Sequence, residues 1–412
     1  MLNQIGKSAK EASYVLNNIS TTKKDEALTK IAELLIEKTD EILLANEKDL
    51  ENAKQKGISG ALLDRLTLTK ERIGQIAKSA LEISKLPDPI DEVISMVKRP
   101  NGLVIGKKRV PLGVIAIIYE ARPNVTVEAA CLCLKSSNAV ILRGGSEAIN
   151  SNIKLCEIMQ KALIDSGLPK ECINIVPDTS REIALALMKL NEYVDVIIPR
   201  GGAGLIKTCI ENATVPVIET GTGNCHIYVD DECDQEMALD ILINAKTSRP
   251  GVCNAAEKLL INNKIKYEFL PKAYKALKEK NVVMVGCEET RRILPDIEPA
   301  TEEDWYTEYL DYKIAIKVVS DIDEAIKHIN KYNSKHSEAI ITTSYEKAQK
   351  FHQEVDAACV YVNASTRFTD GFEFGYGGEI GISTQKIHAR GPMGLKELTS
   401  IKYIIFGNGQ IR

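Results

Sequence analysis

The sequence contains no Cys-x-x-Cys pair, and its ten cysteines, at 131, 133, 156, 172, 209, 225, 233, 253, 287 and 359, follow no zinc-ligand spacing. That excludes a zinc site and a disulfide framework, and most of these thiols are expected to be small buried hydrophobes. No run of five like charges occurs, and 53 Lys+Arg against 57 Asp+Glu leave a net charge of −4, so nucleic acid and other polyanions are not expected partners. No apolar stretch approaches the ~20 residues a membrane span requires. The opening residues, Met1 to Lys7, lack a basic segment followed by an apolar run, which predicts no secretory signal and a cytoplasmic location. The dinucleotide fingerprint G-x-G-x-x-G is also absent, which excludes an ordinary Rossmann phosphate loop. What is present, 412 residues with 44% hydrophobic and 27% charged, describes a globular chain of two or three domains.

Residues 1 to about 90 read as helical: Ala27, Leu28, Ile31, Ala32, Leu34 and Leu35 recur at helix spacing after an expected capping box from Thr22 to Asp25. Leu86-Pro87-Asp88-Pro89 ends this part, and a hairpin is expected up to Pro111. Apolar β-branched runs at 114–119, 139–142, 173–176, 194–198 and 215–218 then alternate with helical patterns, the signature of βαβ units and a parallel sheet buried on both faces. A second alternation, with runs near 226–229, 258–261, 281–285, 312–318, 338–342 and 358–362, predicts a second α/β domain. The tail, Ile401 to Phe406, reads as a last strand with little chain left to pair with it, and such a strand often serves assembly.

The ends of the first five runs carry Arg122-Pro123-Asn124, Arg143-Gly144-Gly145-Ser146, Pro177-Asp178-Thr179, Arg200-Gly201-Gly202-Ala203-Gly204 and Glu219-Thr220-Gly221-Thr222-Gly223. Ligands of open α/β sheets bind outside the carboxyl ends of the strands, where glycine lets backbone approach phosphate and helix N-termini favour anions, so a nucleotide site is expected here. Arg143 with Ser146 suits a 2′-phosphate, though Arg-Gly-Gly-Ser is also an acceptable tight turn. Cys253 sits in an unusual loop, Ser248-Arg249-Pro250-Gly251-Val252-Cys253-Asn254, where a neighbouring cation and free N–H groups would favour the nucleophilic thiolate. A packed turn cysteine is the competing reading. Glu219 and Asn124 are equally compatible with a solvated strand end and a local turn. Cys131 and Cys133 read as core, and none of the five histidines reads as catalytic.

The Cys253 loop, the strand-end series, Leu86 to Pro89, Asp64-Arg65-Leu66 and above all two blocks, Val362 to Gly371 and Gly381 to Leu395, resemble the gamma-glutamyl phosphate reductases of the aldehyde dehydrogenase superfamily. The resemblance covers nearly the whole chain. It implies an aldehyde-dehydrogenase-like α/β fold with two parallel-sheet domains and a small oligomerisation element. The expected division is 1–101 and 114–224 for cofactor binding, 225–399 for catalysis, and 102–113 with 400–412 for assembly into a homo-oligomer. It implies NADPH-dependent reduction of L-glutamyl 5-phosphate to glutamate 5-semialdehyde and phosphate, in proline biosynthesis, without a metal and with the upstream glutamate kinase as an expected partner. In this light Cys253 is the nucleophile, Asn124 the oxyanion-hole amide acting with the Cys253 N–H, and Glu219 stands where hydrolytic relatives keep a general base. Arg143, Gly144, Ser146, Gly201, Gly202 and Glu308 are the expected cofactor residues, Glu308 holding the nicotinamide ribose. Arg122, Arg249, Arg367 and Asp370 are the substrate candidates. Ser248 stands where Gln is expected and Phe372 where Gly is expected. A hydrolytic aldehyde dehydrogenase, a cofactor-free cysteine acyltransferase and a non-catalytic binding protein are the alternatives.

Overall fold

In the computed structural model, which describes residues 1–120 and 122–412, the chain divides into two units. One comprises Met1–Thr220, Gly375–Gly381 and Met393–Arg412, and the other Gly221–Phe374 and Ile382–Pro392. Residues 375–381 and 393–399, inside the stretch expected to be catalytic, thus pack with the first unit.

The first unit opens with the helices Leu2–Leu16, Thr21–Glu37, Thr39–Gln55, Gly60–Leu66 and Lys70–Lys85. The apolar stripe of Thr21–Glu37 is buried as its spacing predicts, from Ala27 to Leu35. The expected capping box is not the cap: Ser20, in extended conformation, accepts the Lys23 N–H, because Thr22 is already inside the helix. Asp25 instead pairs with the fully buried Lys135. Four parallel strands follow, in the order Ile173–Ile175, Ala139–Arg143, Val114–Tyr119, Val196–Arg200. Every side chain of Val114–Tyr119 is buried, which its unbroken apolar run requires of a strand covered on both faces. The run 215–218 is not a fifth strand. It makes one parallel bridge, Ile197 to Val217, and Pro216 has no N–H with which to extend a ladder.

The tail also departs from expectation. Thr399–Phe406 pairs antiparallel with Val104–Pro111 along its whole length, and Val93–Lys98 completes a three-stranded sheet. The closing strand therefore has a partner on one edge within its own chain.

The second unit holds a seven-stranded sheet in the order Glu298–Pro299, Val283–Gly286, Lys313–Val319, Ala256–Asn262, Cys225–Val229, Ser337–Ile341, Cys359–Val362, with every neighbouring pair parallel. Helices Gln235–Thr247 and Lys266–Glu279 cover one face with Leu242, Phe269 and Leu270, and Ile322–Tyr332 and Tyr345–Glu354 cover the other with Ile329 and Phe351. Among the described residues no helix is long and apolar enough to cross a membrane.

Candidate active site

Cys253 lies in the turn between helix Gln235–Thr247 and strand Ala256–Asn262 and is partly exposed, whereas Cys131, Cys133, Cys156, Cys172, Cys209, Cys225 and Cys359 are buried. Burial pushes the thiols of Cys156 and Cys172 up to about 12 and those of Cys209 and Cys233 to about 11, which removes them as nucleophiles near neutral pH. The turn is held from several sides. The Cys225 Sγ donates to the Cys253 carbonyl at 3.2 Å. A Cβ at Gly223 would fall 1.5 Å from that same oxygen, so only glycine lets the two backbones approach this closely. Asn254 donates from Nδ2 to the Thr369 carbonyl at 2.9 Å, while its own carbonyl accepts the Thr366 hydroxyl at 2.7 Å.

These contacts bring Arg367 to the cysteine loop. Its guanidinium donates to Asn254 Oδ1 and, at 3.1 Å, to Ser248 Oγ. Burial pushes the Arg367 pKa down, and the Arg249 guanidinium pushes in the same direction, with Cys253 and Asp370 opposing. Two like charges held beside a nucleophile form a place where an anion is welcome. Asp370 serves the local turn, accepting the Phe372 N–H at 2.8 Å. Phe372, where glycine was expected, is half-exposed.

Glu308 is brought to the same loop: its Oε1 accepts the Gly223 N–H at 2.7 Å. Burial pushes its carboxyl up to about 7, with the Gly223 N–H and Lys258 pulling down and Glu257 pushing up. Around it sits a charged pair of residues that sequence reasoning missed. Glu257 is fully buried against Lys246 at 3.0 Å, and burial brings Lys258, fully buried, down to about 7. The signal was present in the strand itself, where Glu-Lys interrupts an otherwise apolar run four residues after the cysteine.

The first unit carries the other expected residues. Arg122 caps helix Pro123–Lys135, which places Asn124 in its first turn, with Nδ2 3.4 Å from Glu128 Oε1. Arg143 ends its strand and donates to the carbonyls of Thr179 at 2.5 Å and Ser180 at 3.2 Å, while its buried Nε has no hydrogen-bond partner among the described residues. Gly144 leaves room for Asn152, 2.3 Å from where a Cβ would lie, and Ser146 opens a helical turn. Gly201 packs on the Glu120 side chain, and Gly202, capping helix Ala203–Asn212, donates to Glu120 Oε1 at 3.1 Å. Glu219 follows the lone bridge at Val217, half-buried, rather than ending a full strand.

His226, one of the histidines not read as catalytic, has an acidic partner: its Nδ1 lies 3.0 Å from Glu338 Oε2, both side chains fully buried. Burial pushes the imidazole down and the carboxyl up, the pattern of a structural pair. Among the described residues, Asp230, Asp231 and Glu232 form the one cluster with metal-capable spacing. Lys347 Nζ lies 2.9, 2.5 and 3.0 Å from their carboxylates, so a cation of the chain already sits there.

The chain matches the aldehyde dehydrogenase family over residues 2–305 and 314–404. It is 67% identical over 407 residues to a gamma-glutamyl phosphate reductase of Clostridium perfringens, covering 99% of this chain and 98% of that one. The identity to the protein of the same name in Caldicellulosiruptor bescii is 64% over 410 residues, 98% of each chain. The crystal structure of the Thermotoga maritima gamma-glutamyl phosphate reductase superposes with a TM-score of 0.98 at 52% identity, over 100% of this chain and 99% of that one.

Proposed function

The chain belongs to the aldehyde dehydrogenase family and, within it, to the gamma-glutamyl phosphate reductases, and from this membership we propose that it is an oxidoreductase of proline biosynthesis. Its reaction is the NADPH-dependent reduction of L-glutamyl 5-phosphate to L-glutamate 5-semialdehyde and phosphate.

The residues present suit a nicotinamide dinucleotide phosphate. The Gly202 N–H, at a helix N-terminus, already donates to a carboxylate, the same class of acceptor as a phosphate oxygen. The buried Nε of Arg143, without a hydrogen-bond partner among the described residues, offers a further donor for an anion. Arg143, Gly144, Ser146, Gly201 and Gly202 would hold the phosphates and adenosine ribose, and Glu308 the nicotinamide ribose. When bound, the cofactor supplies a hydride.

The Cys253 thiolate attacks the acyl carbon, the carbon–oxygen bond to phosphate breaks, and a thioester remains on Sγ. Reduction of that thioester by two electrons gives a thiohemiacetal, which collapses to release the aldehyde and restore the thiolate. A thioester divides one hard step into two easier ones. The Cys253 N–H and the Asn124 amide are assigned to the oxyanion of each tetrahedral species, a contribution of about 3 to 4 kcal/mol per donor. Arg367, with Arg249, takes the phosphoryl group, and Arg122 and Asp370 remain candidates for the amino and carboxylate groups of the substrate. With phosphate as acyl acceptor in the reverse direction, no base is needed to activate water, so Glu219 is not assigned that task. We assign the three-stranded sheet to assembly of a homo-oligomer.

The observation that carries this reading is the Cys253 turn itself: a partly exposed thiol in a backbone locked by Gly223 and Asn254, with Arg367 bonded to the next residue. The test is oxidation of glutamate semialdehyde by NADP with and without inorganic phosphate. NADPH formation should require phosphate, and arsenate should replace it because the arsenate ester hydrolyses and draws the reaction forward. Equal rates in phosphate-free buffer, with glutamate as product, would replace this reading by the hydrolytic one and return Glu219 to the role of base.

A further inference from the structure

Glu308 sits in a segment whose backbone is anchored at nearly every second residue by groups that the reaction itself does not use. The Trp305 carbonyl accepts Asn224 Nδ2 at 2.8 Å, and the Thr307 carbonyl accepts Lys258 Nζ at 2.8 Å. The Leu310 N–H donates to Glu257 Oε1 at 3.2 Å. Leu310 itself has φ 55°, a left-handed conformation that a leucine does not choose unless its surroundings impose it. Asn224 immediately precedes strand Cys225–Val229, and Lys258 lies in the neighbouring strand opposite His226, so the two anchors come from adjacent strands, offset by two residues in register.

Both anchors are costly. Asn224 is 3% exposed and Lys258 not at all, although Lys258 is followed by Leu259, Leu260 and Ile261 in a wholly buried strand. An amine there loses its hydration, and among the described residues it gains the Thr307 carbonyl, the face of the Tyr309 ring 4.5 Å from Nζ, and the attraction of nearby carboxylates such as Glu257 and Asp304. An apolar side chain would pack at no such cost if packing were the only requirement. The residue before Asn224 completes the arrangement, since Gly223 donates its N–H to the Glu308 carboxylate and also touches Cys253.

We propose that Lys258 and Asn224 are positioning residues for Glu308, clamping the Trp305–Leu310 backbone so that this carboxylate stays fixed beside the Cys253 turn for the ribose of the nicotinamide nucleotide. The inference rests on the reading of Glu308 given above, and the two are separable by experiment. The clamp is read without cofactor by amide hydrogen exchange. Lys258→Met and Asn224→Ser should each speed exchange over residues 305–310 by about tenfold or more, and unchanged exchange overturns the clamp. Its purpose is read from NADPH dissociation constants in a double-mutant cycle. Lys258→Met should weaken binding by about tenfold in the wild-type chain and by less than about twofold in a Glu308→Gln background. Equal weakening in both backgrounds, or none in the wild type, overturns the positioning role. If Glu308→Gln alone leaves NADPH binding unchanged, the ribose reading fails while the exchange data still decide the clamp. Should Lys258→Met fail to fold, Asn224→Ser carries the same cycle. An unchanged rate of Cys253 alkylation by iodoacetamide in either variant separates a displaced Glu308 from collapse of the turn.

Discussion

Gly223 is in direct backbone contact with Cys253: a Cβ on Gly223 would lie 1.5 Å from the Cys253 carbonyl oxygen and 2.5 Å from its Cα. The obstacle is main chain, not the tip of a movable side chain, so a methyl group must displace the cysteine turn. Gly223→Ala is expected to lower kcat by about 100-fold or more, the usual result of moving a reacting group by about an ångström. Gly74 is the control. It lies inside helix Lys70–Lys85 with open space around it, and Gly74→Ala should leave activity intact and raise stability by about 0.5 to 1 kcal/mol. Steady-state kinetics and thermal melts on both variants check this, and near-normal turnover in Gly223→Ala would refute the contact as an active-site constraint.

Cys253→Ser should abolish turnover without unfolding the protein, because a hydroxyl at its usual pKa does not replace a thiolate. Cys225 lies beside it with its thiol pushed well up by burial, and serves the Cys253 carbonyl as a donor. Cys225→Ala should therefore slow the reaction only several-fold, the effect of one lost hydrogen bond of about 1 kcal/mol. Serine at Cys131 or Cys359 should leave most activity. Rapid alkylation at Cys253 alone, followed by mass spectrometry, is the companion measurement. Dominant labelling of another thiol together with loss of activity would move the nucleophile.

Arg143→Ala should weaken NADPH more than NADH, since only NADPH carries the 2′-phosphate that a guanidinium grips. The Thr179 and Ser180 carbonyls also depend on this side chain, and Ser180 caps helix Arg181–Leu187. Part of the loss will therefore be common to both cofactors. The ratio of the two dissociation constants isolates the phosphate contribution, and an unchanged ratio assigns Arg143 to the scaffold.

Burial holds the Glu308 carboxyl at about 7, above its usual range, so the group is largely protonated at pH 6 and largely ionised at pH 8. Only the ionised form offers both oxygens as acceptors to ribose hydroxyls. Affinity for NADPH should therefore rise with pH across this window, by up to about tenfold. Titration of the cofactor's own 2′-phosphate contributes to the same curve, and Glu308→Gln removes only the protein's share. Identical pH dependence in Glu308→Gln and the wild type would refute the assignment.

The sequence made the α/β architecture legible because buried parallel strands must be continuous apolar runs, as in Val114–Tyr119 and residues 139–142. It misled at 215–218, where an apolar run carries a proline that limits it to one bridge, and at 401–406, whose partner strand lies nearly 300 residues earlier. Spacing singled out Cys253, but the groups that lock it, Gly223, Cys225 and Asn254 with Thr369, are joined only by folding. Burial inverts meaning in the same way. His226 and Glu338 are 112 residues apart and form a pair only because adjacent strands align them.

The sheet assigned to assembly gives the last prediction. Thr399–Phe406 is an edge strand, and Ile401, Tyr403 and Ile405, which share one face, are 47%, 58% and 60% exposed. Val93, Ile94, Met96 and Val97 are exposed in the strand at the other edge of the same sheet. A small sheet with apolar side chains facing water and open backbone edges is stabilised when a second copy covers it. Replacing Ile401 and Ile405 by lysine puts charge on that face and leaves the pairing with Val104–Pro111 in place. Deleting the strand would strip that pairing as well, so substitution is the cleaner test. The double variant should keep its melting behaviour as a folded chain and show a lower mass than the wild type in light scattering. An unchanged mass would show that this face is not where copies of the chain meet.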